Sequence, residues 1–570
     1  MFRLAFLLIL VLPVPASAAP PDLILHNGKI ATVDGKFTIS EAMSIRAGRI
    51  QRLGKNTQVL SDRGPNTKLV DLKGQLVLPG LIDSHTHPSG ASMHEFDHPI
   101  PKMETIGDVL KYIKARTKQV KPGQGIRVRQ VFITRLKEQR YPTRAELDSV
   151  APHHPVVFST GPDASLNSMA LKLSGITRDF RVVGPGRIEK DANGEPTGIL
   201  RSCSRYIKVK TSGRSSSESE RRQRLIQLFR DYNSVGLTCV SDRNASSSSI
   251  RRYQALRAAG RLPVRMAISH GVSASSRRKI SDIQKQIRAI SKHPLRAKDP
   301  YLRIIGIKTF LDGGMLTGSA YLRKPWGISK IYSIRDPKYR GVLNIPRERL
   351  LAIVRTTIES GLQFTAHSVG DGAVHLLLDV YEEINRKTPI RQTRPCITHC
   401  NFMSREAVNK MAKLGVVADI QPAWLYLDTR TLMKQFGSQR LRYFQPLQSL
   451  FKAGAIIGGG SDHMQKIGSL RSVNPYNPFL GMWISITRRA NRFTGRLHPQ
   501  EALTRQQAIR FYTRNNAHLL FLEKEIGSLE PGKQADFVVL DRDILKCPVD
   551  AIRGTQVLQT YIQGRQVYKK

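Results

Sequence analysis

The chain has 570 residues, enough for one large domain with a smaller appended one or for three ordinary domains, so size alone excludes nothing globular. Lysine and arginine number 90 against 44 acids, a net charge of +46, but these residues are spread along the chain without a basic tail, an RNA-binding motif or a helix-turn-helix pattern. That sets specific nucleic-acid binding aside and leaves a basic, solvated surface. The five cysteines (Cys203, Cys239, Cys396, Cys400 and Cys547) are too sparse and odd in number for a disulfide framework; Cys396 and Cys400 flank His399, yet no second cysteine pair exists, so they read as buried thiols.

Residues 1–18 open with Arg3, continue through an apolar run from Leu4 to Leu12 and end on Ala16-Ser17-Ala18, the pattern of a cleavable secretory signal. No later apolar stretch is long enough to cross a bilayer, so the expectation is an exported protein, periplasmic or secreted, with no stable membrane span. The sequence sets no oligomeric state. In residues 19–80, LILHNGKIATVDG and MSIRAGRIQRLG alternate apolar and polar positions and break at Asn-Gly, Asp-Gly and Ala-Gly pairs, as short antiparallel strands do. Residues 521–570 repeat that style in GSLEPGKQADFVVLDRD and TQVLQTYIQGRQVYKK, so the two ends are expected to meet in one small β-sandwich domain.

Residues 81–520 follow another rhythm. Eight short apolar runs end in polar residues: LVLPGLIDSH, GLTCVSD, LPVRMAIS, LRIIGIKTFLDG, LQFTAHSVGD, RPCITHC, GVVADIQP and AIIGGGSD. Helical patterns separate several of them, as in ERLLAIVRTTIES, AVHLLLDVYEEINRK and SREAVNKMAKL. Eight parallel strands alternating with helices predict an α/β fold, a (β/α)8 TIM-like barrel. The gap between the first and second runs is far longer than one crossover needs, which predicts an insertion at about 94–230, with a strand in HPVVFST, a helix in ESERRQRLIQLFRDYNSV and a role in shaping the substrate pocket.

Active sites of such barrels lie at the C-terminal strand ends, where this chain concentrates metal-ligand residue types: His85, His87, His367, His399 and Asp462. A lone strand-end histidine is more often a hydrogen-bonded core residue, but the ordered set points to one divalent metal site. In His85-Thr86-His87 both imidazoles project from the same face of an extended backbone and can reach one ion. Neutral imidazole and carboxylate suit zinc, iron, manganese, cobalt or nickel. Lys308, within the fourth run, is a poor ligand while protonated, although carbon dioxide would convert its amine to a carbamate able to bridge two ions; the plainer reading is a salt bridge to Asp312. His94 and His98, four apart, could share a helical face and bind a second ion, but they lie in the first barrel loop, and a solvated loop is the plainer reading. His463 is expected to point away from the ligands, supporting them from behind or standing at the pocket rim, and Trp424, Tyr426 and Trp483 are pocket-wall or core aromatics.

Taken together, LVLPGLIDSHTH, DANGEPTGILR, GIKTFLDGG, TAHSVGDGAV, ITHCNFMS, GVVADIQP, GGGSD and GSLEPGKQADFVVLDRD resemble the amidohydrolase superfamily, in particular its YtcJ-like, amidohydrolase 3 branch, over nearly the whole chain after the leader. The resemblance implies a metallo-barrel with a composite β domain, ligands at His85, His87, His367, His399 and Asp462, a modified lysine at Lys308 and one or two zinc ions. It further implies hydrolysis of a non-peptide C–N bond in a small N-acyl, N-formyl or cyclic amide, with Asp462 moving the proton. Deamination, or ester or lactone hydrolysis on the same site, is the enzymatic alternative; a non-catalytic polyanion-binding protein is the alternative of another class. Three features depart from the family pattern: GPDASLNS lacks the histidine of an Asp-Gly-His-type segment and offers Asp163 in its place, the fourth run ends LDGGMLTG where Gly-Ser is usual, and the chain is unusually basic.

Overall fold

All eight apolar runs form strands, and they pair in sequence order, every neighbour parallel, in one eight-stranded sheet. The strands are β1 (Leu81–Thr86), β2 (Leu237–Ala245), β3 (Arg265–Gly271), β4 (Leu302–Phe310), β5 (Gln363–Ser368), β6 (Cys396–His399), β7 (Val417–Ile420) and β8 (Ile457–Gly459). This computed structural model describes residues 19–570 apart from 130, 162, 185, 211, 298 and 469–473; the secretory-signal reading falls on residues 1–18, outside the described residues. The segment after β8 closes the barrel onto β1: the Asp462 amide donates to the His85 carbonyl at 2.8 Å and the His87 amide to the His463 carbonyl at 2.8 Å. The fold is an α/β barrel whose strands are buried on both faces, which is why they read as near-continuous apolar runs.

Two further sheets stand beside the barrel, and one of them draws on both chain ends. One joins Lys29–Ala31, Ile39–Ser40 and Leu76–Pro79 to Phe537–Leu540, Val557–Ile562 and Arg565–Lys569; the other contains Leu23–His26, Ala42–Arg46, Arg49–Gly54 and Lys68–Asp71. Leu25, Met43, Ile45, Val77, Phe537 and Val539 pack in one cluster between them. The run LVLPGLIDSH is therefore two strands. Leu76–Pro79 pairs with Phe537–Val539 in the small sheet, and the chain crosses into the barrel at Gly80. Only glycine fits there, since a Cβ would lie 2.2 Å from Thr238 Oγ1 on β2.

Between β1 and β2 a five-stranded sheet assembles Ile126–Arg129, Val156–Thr160, Asp163–Leu166, Arg187–Lys190 and Pro196–Arg201 around its own apolar cluster. The helix Glu218–Ser234, capped by Ser217 with Glu220 completing a capping box, packs on the helix Pro88–Met93 and on β2, so it acts as the crossover helix of the barrel wall rather than as part of the inserted sheet. After β4, residues 311–346 form a long connection without an α-helix. Its buried Trp326 donates from Nε1 to the Ala320 carbonyl at 2.8 Å and packs edge-on against Tyr332.

Candidate metal centre

Strand alternation aims His85 and His87 into the barrel mouth, and the β1–β8 closure brings Asp462 to meet them. His85 Nε2 and His87 Nε2 are 3.2 Å apart, and they lie 3.3 and 3.2 Å from Asp462 Oδ1. One ligand atom from each residue falls within 4.8 Å of the others. Asp462 adopts a left-handed backbone (φ 55°), as does His399 (φ 81°), strain of the kind that clusters at functional strand ends. His399 stacks on His85 with ring centroids 5.2 Å apart, and His367 meets His399 edge-on at 4.6 Å. His85, His87, Lys308, His367, His399 and Asp462 all line a single cavity of about 440 Å³.

Each of three imidazoles is turned by an acceptor on its Nδ1 side. Asp419 Oδ2 takes His85 Nδ1 at 3.2 Å, Asp312 Oδ1 takes His367 Nδ1 at 3.0 Å, and Gln421 Oε1 takes His399 Nδ1 at 2.7 Å. An acceptor at Nδ1 fixes the proton there and leaves the Nε2 lone pair for the cavity. Burial holds His85 and His399 well below the usual histidine range, against the pull of Asp462 on His85, so both are neutral, as ligands must be. Burial likewise pushes the Lys308 amine down to about 8, although Asp419 and Asp462 pull the other way.

Beneath the site lies a network that sequence reasoning missed. Arg243, fully buried on β2, donates to the Ser84 carbonyl at 2.9 Å and to Gln363 Oε1 at 2.9 Å, and pairs with Asp419 at 3.3 Å. Asp419 also accepts from Thr398 Oγ1 at 3.2 Å. Asp83, raised to about 7 by burial, accepts from the amides of His85 (2.9 Å) and Ser461 (3.0 Å) and so pins the two sides of the closure together. The available signal was a charged residue inside an apolar run, as in VVADI or CVSDR, because a buried charge requires a partner.

Several expectations are corrected. Asp312 does not salt-bridge Lys308; its carboxylate is taken by His367 and by the amides of Tyr321, Val369 and Gly370. Asp163 does not replace a missing site histidine, for it is buried against Arg201 at 3.2 Å and the Ser202 amide at 2.8 Å, and Arg201 in turn donates to the Thr317 carbonyl at 2.6 Å, tying the inserted sheet to the cavity wall. His94 and His98 share no helical face because the helix ends at Met93; His98 bonds Asp97 and Tyr112 instead. His463 is fully buried, bonded to Tyr232 Oη and to the Gln465 and Lys466 carbonyls, and burial drives it down to about 3. Of the three aromatics, Trp424 lines the cavity, whereas Tyr426 packs on Trp483. All five thiols are unpaired. The glycines of LDGG line the cavity, and a Cβ on Gly313 would lie 2.5 Å from the Ser319 carbonyl.

The amidohydrolase family pattern matches residues 68–568, and the chain belongs to that family. The family makes it an amidohydrolase, a hydrolase acting on carbon–nitrogen bonds. Among its relatives, the N-substituted formamide deformylase of Arthrobacter pascens is 29% identical over 562 residues, covering 96% of this chain and 98% of that one. YtcJ of Bacillus subtilis (strain 168) is 25% identical over 559 residues, with 96% and 99% covered. An uncharacterized metal-dependent hydrolase from Pyrococcus horikoshii shares the fold at a TM-score of 0.66 and 22% identity, over 93% of this chain and 99% of that one.

Proposed function

We propose that the protein is an exported zinc amidohydrolase that cleaves small N-formyl or N-acyl amines, holding one or two ions at His85, His87, His367, His399 and Asp462, with Lys308 carbamylated. The observation that carries the reading is the meeting of His85, His87 and Asp462, three donor groups within 4.8 Å in a buried cavity. Neutral imidazoles and a carboxylate fit a borderline divalent ion such as zinc. Such an ion supplies an acidified water and a polarised carbonyl.

The chain supplies the rest. Asp462, whose Oδ1 faces both His85 and His87, takes the proton of the attacking water and hands it to the leaving nitrogen. Asp419, Asp312 and Gln421 keep three imidazoles in the tautomer that presents Nε2 to the cavity. Phe132, Met315, Leu316, Val369, Trp424 and Met464 line the remaining wall, exclude water and favour an apolar substituent on the amide nitrogen. The relationship to a formamide deformylase supports the N-formyl class. Export rests on the leader alone; among the described residues no helix is long and apolar enough to cross a membrane.

The test is a panel of N-formyl and N-acyl amines given to the zinc-loaded full chain, with the released amine and acid both quantified. Stoichiometric amine and formate are expected from N-formyl substrates. Ammonia from heteroaromatic amines, with every amide intact, would replace the reading by deamination. Amino-terminal sequencing of exported protein should find cleavage after Ala18; an intact leader would refute export by that route.

A further inference from the structure

A second cavity, of about 500 Å³, lies at the outer ends of β2 and β3 and shares a wall with the metal-centre cavity. Phe310 and Asn344 line both. The two also meet across the inserted domain, where Ser204 lines the inner cavity and the next residue, Arg205, the outer one. Phe310 stands at this junction with 46% of its surface exposed, its ring 5.6 Å from that of His367.

The two cavities differ in chemistry. Apart from its metal-ligand groups the inner one is walled largely by apolar side chains, whereas the outer one carries Arg205, Arg277, Asn244 and Ser246, and no carboxylate among the described residues lines it. Arg205 donates to the carbonyls of Ser202 and Val183, the latter at 2.9 Å, and lies over the Tyr206 ring at 4.6 Å. A concave, donor-rich wall with two arginines and, among the described residues, no acid favours anions by charge-assisted hydrogen bonds.

We propose that the outer cavity is a subsite for an anionic group, a carboxylate or a phosphate, carried by the substrate at the far end of an apolar spacer whose near end presents the amide to the metal centre. This rests on the amidohydrolase reading and narrows its substrate class: the spacer crosses Phe310 and the anion meets Arg205 and Arg277.

The experiment compares zinc-loaded full chain on N-formyl-ω-amino acids, N-formyl-ω-aminoalkyl phosphates and uncharged N-formylalkylamines, each over a range of chain lengths. At the best length the anionic series should exceed the neutral one by about tenfold or more in kcat/KM. Whichever anion gains more identifies the source. Arg277→Gln should lower the anionic-to-neutral ratio about tenfold, and Arg205→Lys, which keeps the charge but loses the planar fork, should lower it less. Arg63→Gln, an equal loss of charge on the sandwich, should keep the ratio. Equal use of both series, or an equal fall in Arg63→Gln, overturns the subsite and leaves amide hydrolysis standing. If no formamide is cleaved, the same compounds are titrated by calorimetry into Asp462→Asn protein with and without Arg277→Gln: tighter anionic binding that Arg277→Gln removes upholds the subsite while the amidohydrolase reading falls, and equal binding overturns the subsite as well.

Discussion

On one side of the metal centre His85, His87 and Asp462 face one another, nitrogen to carboxylate oxygen at 3.2–3.3 Å, held by main-chain bonds across the β1–β8 closure. On the other side His367 and His399 meet edge to face, and each depends on a side chain from a different strand end, Asp312 after β4 and Gln421 after β7. The first side is assembled mainly by backbone geometry, with Asp419 turning only His85, whereas on the second side both imidazoles depend on a side-chain acceptor. The two should therefore fail differently: the first through outright loss of a donor, the second through small rotations that leave the donors in place.

The largest effect is expected on the first side. His85→Ala should leave less than about a tenth of a metal per chain and lower turnover by roughly three orders of magnitude or more, as metal analysis and formamide kinetics would show. A variant that kept its metal would break the comparison at its root. Asp462→Asn should separate binding from chemistry, retaining most of the metal while turnover falls roughly 10²–10⁴-fold; normal turnover would remove Asp462 from the proton path.

Asp312→Ala and Gln421→Ala probe the second side. Each removes an orienting acceptor but no donor, so a loss of roughly 10–100-fold in activity or metal affinity is expected, smaller than for His85→Ala. Equal losses in all three variants would mean that the two sides are held alike.

The smallest effect concerns pH. Burial places the Lys308 amine at about 8, and the neutral amine is the form that adds carbon dioxide. Bicarbonate-stimulated activation of metal-reconstituted protein should therefore rise as pH climbs through about 8 and fade below it, with Lys308→Ala flat throughout. The folded amine also gives up its proton before the unfolded one does, so the metal-free protein should gain stability between pH 8 and the ordinary lysine range and lose that gain as pH falls through 8. Denaturant midpoints across that window, with Lys308→Ala as reference, would test the sign.

The comparison also explains what the sequence could reveal. Strand ends were readable because a buried parallel strand is a short apolar run, and His-x-His or Gly-Ser-Asp at its end stands out against it. The orienting residues were not. Asp419 lies 334 residues from His85, and nothing in GVVADIQP says which ring its carboxylate will meet. Gln421 and Asp242 stand in the runs GVVADIQP and GLTCVSD, but their partners, His399 and Tyr253, are set by barrel closure. The helix Glu218–Ser234 was visible from its period, while its cap and its place in the barrel wall, packed against Pro88–Met93, come from the structure. The outer cavity is less readable still, because Ser204 and Arg205 come from the insertion, Phe310 from the end of β4 and Asn344 from the connection after it.

The central claim, that the converging histidines and aspartate form a catalytic metal centre, is tested most directly by chelating the purified protein and then restoring zinc while following formamide hydrolysis and bound metal together. The account predicts that activity disappears with the metal, returns in proportion to zinc rebound, and does neither in His85→Ala. Hydrolysis that survives complete removal of metal would contradict it.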